Sequence, residues 1–392
     1  RRQRQMCIRD SIASVGAFLP HIVVNAETGK RFGRSLDPDT NGYTSESFEE
    51  GTAGLDMTLS LFEGFSRINQ VRFRKMNKER SEWELKEKQN ELAYQVTDAY
   101  YKLILERKSL DLALEQSRLS ERYLKQTEVF VELGLKSASD LQEVKARREG
   151  DIYRYQSRGN SSRIALLHLK QLMNIQPGDT LAILDTITAS QVPPYSVSTV
   201  ETLYAQSIEI LPSIRMIDLK QKAAHKEYAI AGGAFSPSVF ARFTVGSNYY
   251  NTAFSARQLR DNIGKYVGVG ISFPLLSGLQ RLTNQRKLKL NMYRLKNEEE
   301  LEKQQLYTDI EQTLLSLHTG YSEHQQALSQ LDAETLVLKE SERKWEEGLI
   351  SVFQLMEARN RFIAAKAELV RVRLQIEMMM KLEKYYRQGT FL

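Results

Sequence analysis

The chain has 392 residues, with 55 Lys and Arg against 49 Asp and Glu, a net charge of +6 and 41% hydrophobic residues. A single cysteine excludes a disulfide framework and a cysteine-based zinc site. The plentiful apolar residues and the small net charge argue against disorder. No run of about 18 apolar residues is present, so no transmembrane helix is predicted. The charges are spread along predicted helices, and we therefore expect no nucleic-acid partner.

The N-terminal residues do not match a signal peptide. Residues 1–11 have no apolar core, the chain does not begin with Met, and Cys7 lacks the neighbours of a lipobox. We therefore expect residues 1–13 to be foreign or the remnant of a truncated N-terminus, and we predict no lipidation.

Prolines are absent from residues 39–176 and 275–392, which favours long uninterrupted helices there. Residues 65–133 contain no glycine either, and residues 279–347 contain only Gly320. Each of these stretches would be a helix of about 100 Å. Apolar residues then follow a heptad pattern, as in Ile310, Leu314 and Leu317, and resume it after Gly348. The pattern predicts two antiparallel helical hairpins that turn near Gly134 and Gly348.

The two halves of the chain repeat each other at a spacing of 214 residues. Near the start of each long helix the identical pairs are Gly54 and Gly268, Leu61 and Leu275, Gly64 and Gly278, Arg67 and Arg281, Arg72 and Arg286, and Lys75 and Lys289. Near each turn they are Gly134 and Gly348, Leu135 and Leu349, Ser137 and Ser351, Leu141 and Leu355, Glu143 and Glu357, and Arg147 and Arg361. The chain is therefore a tandem duplication of one unit of two strands and a helical hairpin.

Alternating apolar and polar residues predict the strands, at about residues 21–30, 53–62, 239–245 and 267–275. The residues predicted to face a membrane are Leu55, Met57, Leu59, Leu61, Val239, Phe243, Val245, Val269, Ile271 and Phe273. Polar loops at about 31–51 and 246–266 carry the aromatics Tyr43, Phe48, Tyr249, Tyr250 and Tyr266. A soluble sheet with one apolar face fits this alternation equally well. Four strands cannot close a conducting barrel, so the membrane interpretation requires oligomers.

At this point the chain resembles the TolC-like outer-membrane efflux protein family, the outer membrane factors of tripartite efflux or type I secretion systems. The motifs that carry the resemblance are Leu61-Phe62-Glu63-Gly64, its partner Leu275-Leu276-Ser277-Gly278, and a Gly-Leu-x-Ser turn in both copies. The resemblance implies a mainly α protein with membrane β-strands, a homotrimer whose 12-stranded β-barrel continues into an α-helical barrel. It also implies the outer membrane of a Gram-negative bacterium, with a long periplasmic extension in contact with an adaptor and an inner-membrane pump.

The expected domains follow the duplication. They are the N-terminal segment 1–13, the strand pair 14–64, the helical hairpin 65–173, the equatorial connector 174–234, the strand pair 235–278, the helical hairpin 279–386 and the tail 387–392. The resemblance implies passive export of small molecules or proteins, without a cofactor. A soluble or peripheral coiled-coil scaffold or adaptor is the alternative.

The two turns carry the site predictions. The resemblance implies that the turns dock the adaptor through Gly134, Leu135, Ser137, Asp140, Gly348, Leu349 and Ser351. Glycine reversals and serine caps also explain most of these residues without a partner, but they do not explain the two leucines. Gln354 and Glu357 stand at the positions of a periplasmic gate that controls cation access in some relatives. No nucleophile motif, phosphate loop or metal-ligand pattern is present, so we expect no catalytic and no metal-binding residue.

Overall fold

The computed structural model describes residues 9–10, 12–36, 42–45, 47–176, 178–184, 192, 198–251, 256–275 and 278–391. Cys7, Leu276, Ser277 and parts of segment 1–13 and of connector 174–234 lie outside these residues. The chain divides into two compact units. One comprises residues 1–84 and 215–301, and the other comprises residues 85–214 and 302–392.

Residues 12–16 are helical, and seven further helices follow in the described residues. They are α1 (Ser66–Glu132), α2 (Ala138–Leu172), α3 (Val200–Ile210), α4 (Pro212–Gly233), α5 (Ala256–Asp261), α6 (Gln280–Glu346) and α7 (Val352–Gln388). The helices α1 and α6 each have 67 residues, and their first residues lie 214 positions apart. This equality confirms that the duplication preserved the length of the long helix. Among the described residues, no helix is both long and apolar enough to cross a membrane.

The strands are β1 (His21–Arg31), β2 (Ser35–Leu36), β3 (Tyr43–Thr44), β4 (Phe48–Glu63), β5 (Ser238–Asn251) and β6 (Gly264–Ser272). Strands β1, β4, β5 and β6 form one antiparallel sheet in that order, and β2 pairs with β3. The two predicted strand pairs are thus joined through β4 and β5.

The predicted loops were wrong at their ends. Phe48, Tyr249, Tyr250 and Tyr266 lie within strands. Phe48 of β4 pairs with Arg31 of β1, Tyr249 and Tyr250 of β5 pair with β4, and Tyr266 of β6 pairs with Thr244 of β5. Polar residues can extend a strand when a partner strand satisfies their backbone groups.

The last predicted strand also ends earlier than expected. β6 stops at Ser272, so Phe273 and Leu275 lie beyond it. Pro274 has no N–H for a ladder hydrogen bond and restricts the residue before it, which explains the early end.

The heptad seam of α6 packs in a core with α3 and α7. Ile310, Leu317 and Ile376 are fully buried there, and His324 is buried farther along α6. Two smaller cores lie between α1 and α2 and around the two helix reversals. Burial of apolar surface, at about 25 cal/mol per Å², stabilises these long helices more than helix propensity does.

The duplicated glycines Gly64 and Gly278 begin the long helices with φ of 59° and 58°, a left-handed conformation that favours glycine. Their surroundings differ. A Cβ atom at Gly64 would lie 2.5 Å from the carbonyl oxygen of Gly233, whereas no described atom lies within 4 Å of one at Gly278.

We predict that Gly64→Ala destabilises the protein more than Gly278→Ala. Both variants incur the left-handed penalty of about 1–2 kcal/mol, but only Gly64→Ala adds a clash with backbone. Thermal unfolding of the two purified variants measures the difference. Equal midpoints would contradict the crowding at Gly64.

Candidate functional site

The two helix reversals have the same backbone geometry. Gly134 and Gly348 have φ of 73° and 76°. The N–H of Leu135 donates to the carbonyl of Phe130 at 2.8 Å, and the N–H of Leu349 donates to Lys344 at 2.8 Å. This six-to-one hydrogen bond, with a second one from each glycine, defines a Schellman motif. Glycine is required because its position is left-handed.

A capping box begins each return helix. Ser137 Oγ accepts the N–H of Asp140 at 3.1 Å, and the Asp140 carboxylate accepts the N–H of Ser137 at 2.9 Å. Ser351 and Gln354 exchange the equivalent hydrogen bonds at 3.2 and 3.0 Å. The Ser137 hydrogen bonds hold the pKa of Asp140 below its usual value. The cap therefore explains Ser137, Asp140, Ser351 and Gln354 without any partner protein.

The cap does not explain the apolar surface at the reversals. Leu135 is 66% exposed and Leu349 is 68% exposed. Leu133 and Phe353 are also exposed, although sequence reasoning missed both. Since burial would stabilise these side chains by about 1.5–3 kcal/mol each, the exposed patch is typical of a docking surface.

An aromatic core lies directly beneath this surface and joins the two reversals. Trp345 is buried, and its ring lies 5.3 Å from that of Tyr123 and 5.6 Å from that of Phe130. The Lys136 ammonium group also donates to the carbonyl oxygen of Ile350 at 3.4 Å. The reversals are therefore held together as one surface.

A cleft of about 280 Å³ opens between α2 and α7 beside the reversals. Glu143 and Glu357, which occupy equivalent positions in the two repeats, both line it, together with Arg147 and Phe353. Glu357 also forms an ion pair with Arg361 at 3.6 Å. Gln354 is not among the lining residues, because its side chain is used in the cap. The duplication thus supplies a second carboxylate, Glu143, that the sequence analysis did not assign to a gate.

Deeper in the same unit, a buried polar network links α1, α2 and α7. Asp151 accepts hydrogen bonds from Gln116 Nε2 at 2.9 Å and from Ser120 Oγ. Arg359, only 1% exposed, donates to Ser120 Oγ at 3.3 Å and to the carbonyl of Gln116. Burial lowers the pKa of the Arg359 guanidinium below its usual value. Neither charged residue was singled out from the sequence.

The strand register brings the predicted membrane-facing residues onto one face. Met57 lies opposite Phe243, which lies opposite Val267. The same face holds Leu55 with Val245, Leu59 with Ala241 and Val269, and Val239 with Ile271. Leu61 falls at a β-bulge between Ser60 and Phe62, so alternation does not define its direction.

The opposite face of the sheet is mainly polar, although it also holds Phe240 and Tyr266. Asp56 accepts a hydrogen bond from Thr244 Oγ1 at 2.9 Å and one from Asn25 at 3.4 Å. The sheet therefore has one apolar and one polar surface. This is the pattern of the wall of a membrane barrel.

The described residues contain no group of three or more His, Cys, Asp or Glu side chains that could hold a metal ion. The polar groups at the reversals are engaged in caps and ion pairs. The exposed reversals have a geometry suited to docking a partner protein, and the two-faced sheet has one suited to the wall of a conducting barrel.

Comparison with known proteins agrees with this architecture. The chain matches the family model described as outer membrane efflux protein over residues 3–174 and 203–378. No curated protein sequence matches the chain. The solved structures that are similar to the chain include three channels. The CmeC outer membrane channel of Campylobacter jejuni is 12% identical with a TM-score of 0.85, over 98% of this chain and 81% of that one.

The outer membrane protein VceC of Vibrio cholerae is 14% identical with a TM-score of 0.84, over 100% of this chain and 92% of that one. The open state of the MtrE outer membrane channel of Neisseria gonorrhoeae is 16% identical with a TM-score of 0.78, over 100% and 85%. The fold is therefore that of outer-membrane channels, a sheet that continues into long helical hairpins. Because the family model matches most of its length, the chain belongs to the outer membrane efflux protein family. It is an exit duct in the outer membrane of a Gram-negative bacterium, with a long periplasmic helical part.

We predict that Asp151→Leu lowers the unfolding free energy of the hairpin unit by about 3–5 kcal/mol, because Arg359 would remain as an uncompensated buried charge. The double variant Asp151→Leu/Arg359→Met should recover most of this loss. Arg361→Met is the matched control, since Arg361 is half exposed and each of its ion pairs, with Glu334 and with Glu357, should contribute less than about 1 kcal/mol.

Denaturant unfolding followed by Trp345 fluorescence, in a Trp83→Phe background, measures these differences. A double variant as unstable as Asp151→Leu would contradict the role of the buried network.

Proposed function

We propose that three copies of the chain close their sheets into one 12-stranded barrel, which continues into an α-helical barrel. In this assembly the apolar face of the sheet contacts outer-membrane lipid and the polar face lines the lumen. The observation that supports it best is the four-stranded sheet itself, whose edges β1 and β6 have no strand partner among the described residues. Open edges are not tolerated in lipid, and a barrel of several copies satisfies them.

The duct carries small molecules or proteins passively from the periplasm to the exterior. Its polar sheet face and caps contain no acid–base pair suited to catalysis, and we assign the protein no enzymatic activity and no cofactor. A coiled-coil scaffold is disfavoured, because it would need no sheet with one apolar and one polar face.

The reversals dock a periplasmic adaptor, which connects the duct to an inner-membrane pump. Leu135 and Leu349 supply the apolar contacts, and Gly134, Ser137, Asp140, Gly348 and Ser351 hold them in position. The support for this role is the exposure of the leucines at two rigid, equivalent turns, since the caps account for the other residues.

We predict that Leu135→Asp/Leu349→Asp abolishes export while the protein still reaches the outer membrane at normal levels. A charge at each apolar contact would have to be desolvated on docking, which is costly. The matched control is Ser137→Ala/Ser351→Ala, which should lose about 1 kcal/mol of stability per cap but keep export.

Dye accumulation in the native host lacking its own copy, with variant levels measured in outer-membrane fractions, tests this prediction. Normal export by the leucine variant would exclude docking through these side chains.

The cleft at the reversals forms a carboxylate-lined gate for cations. Glu357 is its main residue and Glu143 its counterpart from the other repeat, whereas Gln354 acts through its cap. Carboxylate rings attract cations into a pore and repel anions.

We predict that Glu357→Gln lowers the cation-to-anion permeability ratio, and that Glu143→Gln/Glu357→Gln lowers it further. Glu347→Gln is the matched control, because it removes the same charge from an exposed position outside the cleft. Reversal potentials in planar bilayers under a salt gradient give the ratio. Unchanged ion selectivity in the double variant would rule out the gate.

A further inference from the structure

Basic residues are concentrated at the start of both long helices. Residues 66–78 of α1 contain five Lys and Arg, and residues 280–297 of α6 contain six. Neither segment contains an Asp or Glu. These eleven positive charges exceed the +6 of the whole chain, so the rest of the chain is net acidic. These two segments are an exception to the spread of charge along the predicted helices.

The duplication preserves this basic character at specific positions. Arg72 and Lys75 in α1 correspond to Arg286 and Lys289 in α6 at the spacing of 214 residues. Most other surface positions of the two helices differ between the repeats. A requirement for positive charge at the same distance from the sheet in both repeats explains why these charges are present twice.

Most of these basic side chains are exposed and have no partner carboxylate. Four of the lysines are exposed: Lys75, Lys287, Lys289 and Lys296. Among the described residues, none of these four forms an ion pair with a carboxylate. Three of these basic residues do form ion pairs among the described residues, and one of the three, Arg74 within the α1 segment, pairs with Asp10 at 2.9 Å. Arg67 pairs with Glu63 at the end of β4, and Arg294 pairs with Glu298, the first acid of α6.

The charges also point in several directions around the helix. Successive residues of an α-helix are rotated by about 100°, so Arg286, Lys287 and Lys289 cannot all face one lumen or one neighbouring helix. The positive charge is thus confined to a certain distance along the helix and not to one face. A partner whose electrostatic potential depends on the position along the helix axis explains this distribution better than a partner that binds one side of the helix.

The membrane surface is such a partner. Helix α1 begins at Ser66, directly after β4 ends at Glu63, and α6 begins at Gln280, shortly after β6 ends at Ser272. At about 1.5 Å per residue, the basic segments cover roughly the first 20–27 Å beyond the strands. The negative potential of an anionic leaflet acts within about one Debye length of its surface, which is about 8 Å at physiological salt. Measured from the strand ends, only the first turns of both helices, which carry Arg67 and Arg281, lie within this range. Binding of headgroups by the later basic residues requires the leaflet surface to lie along the helices, beyond the strand ends.

We propose that the segments 66–78 and 280–297 form a basic collar that binds the anionic headgroups of phospholipids in the periplasmic leaflet of the outer membrane. The collar fixes the depth of the sheet in the membrane, because acidic residues begin beyond it at Glu79 and Glu298. The inference rests on the membrane location of the strands and does not depend on the adaptor.

The test compares two quadruple variants of the full-length protein purified in a neutral detergent. The collar variant is Lys75→Gln/Lys287→Gln/Lys289→Gln/Lys296→Gln. The matched control is Lys125→Gln/Lys145→Gln/Lys339→Gln/Lys344→Gln, which neutralises four exposed lysines of the other unit that also lack carboxylate partners among the described residues. Both variants lose the same charge, so only its location differs.

Binding of dioctanoyl phosphatidylglycerol and of dioctanoyl phosphatidylcholine is measured by native mass spectrometry. We expect the wild type and the control to prefer the anionic lipid by roughly tenfold or more, and the collar variant to lose this preference. The size and single-channel conductance of each preparation are recorded in parallel. An unchanged lipid preference in a correctly assembled collar variant would overturn the proposal.

The same recordings distinguish the main rival. If the lysines line the lumen and attract anionic cargo, the collar variant will keep its lipid preference and lose anion permeability, which would also overturn the collar. If the wild type forms no channel at all, this counts against the proposed duct. The lipid preference of the wild type and of the two variants still tests the collar in that case.

Discussion

The four-stranded sheet has two open edges, β1 and β6, whose backbone groups have no strand partner among the described residues. In water such edges are tolerated, but in hydrocarbon each unsatisfied N–H or C=O costs several kcal/mol. The apolar face formed by Met57, Phe243 and their neighbours is suited to contact with hydrocarbon. The unpaired backbone groups of the edges, by contrast, are too costly to expose there. Closure with further copies of the same sheet resolves this conflict, and we infer that the assembly of the duct follows from it.

The duplication gives the chain two long helices of equal length. Because α1 and α6 have the same length, the two reversals form at equivalent positions, share one aromatic core around Trp345 and present Leu135 and Leu349 together. Beneath them, the buried hydrogen bonds from Arg359 to Ser120 and from Ser120 to Asp151 specify how the hairpins pack. At the reversals the caps explain the polar residues, and the docking that we propose accounts for the exposed leucines.

The sequence predicted the helices and the reversals well, because proline, glycine and the heptad pattern act locally. It failed where contacts between residues far apart in the chain determine the local structure. Strand β4 extends to Phe48 because Phe48 pairs with Arg31 of β1, and the bulge at Leu61 depends on the pairing of β4 with β5. Arg359 is another such case, since a charged residue in a helix is normally solvated and its partner Ser120 lies 239 residues away. Gln354 shows the reverse, since a local cap accounts for a residue that the family pattern assigned to a gate.

The mass of the protein extracted from outer membranes tests this account most directly. Light scattering that corrects for bound detergent should give three copies of the 45.1 kDa chain. After reconstitution, the same particles should conduct ions. A monomer that remains in the aqueous fraction, or a detergent particle containing a single chain, would contradict closure of the sheet by three copies.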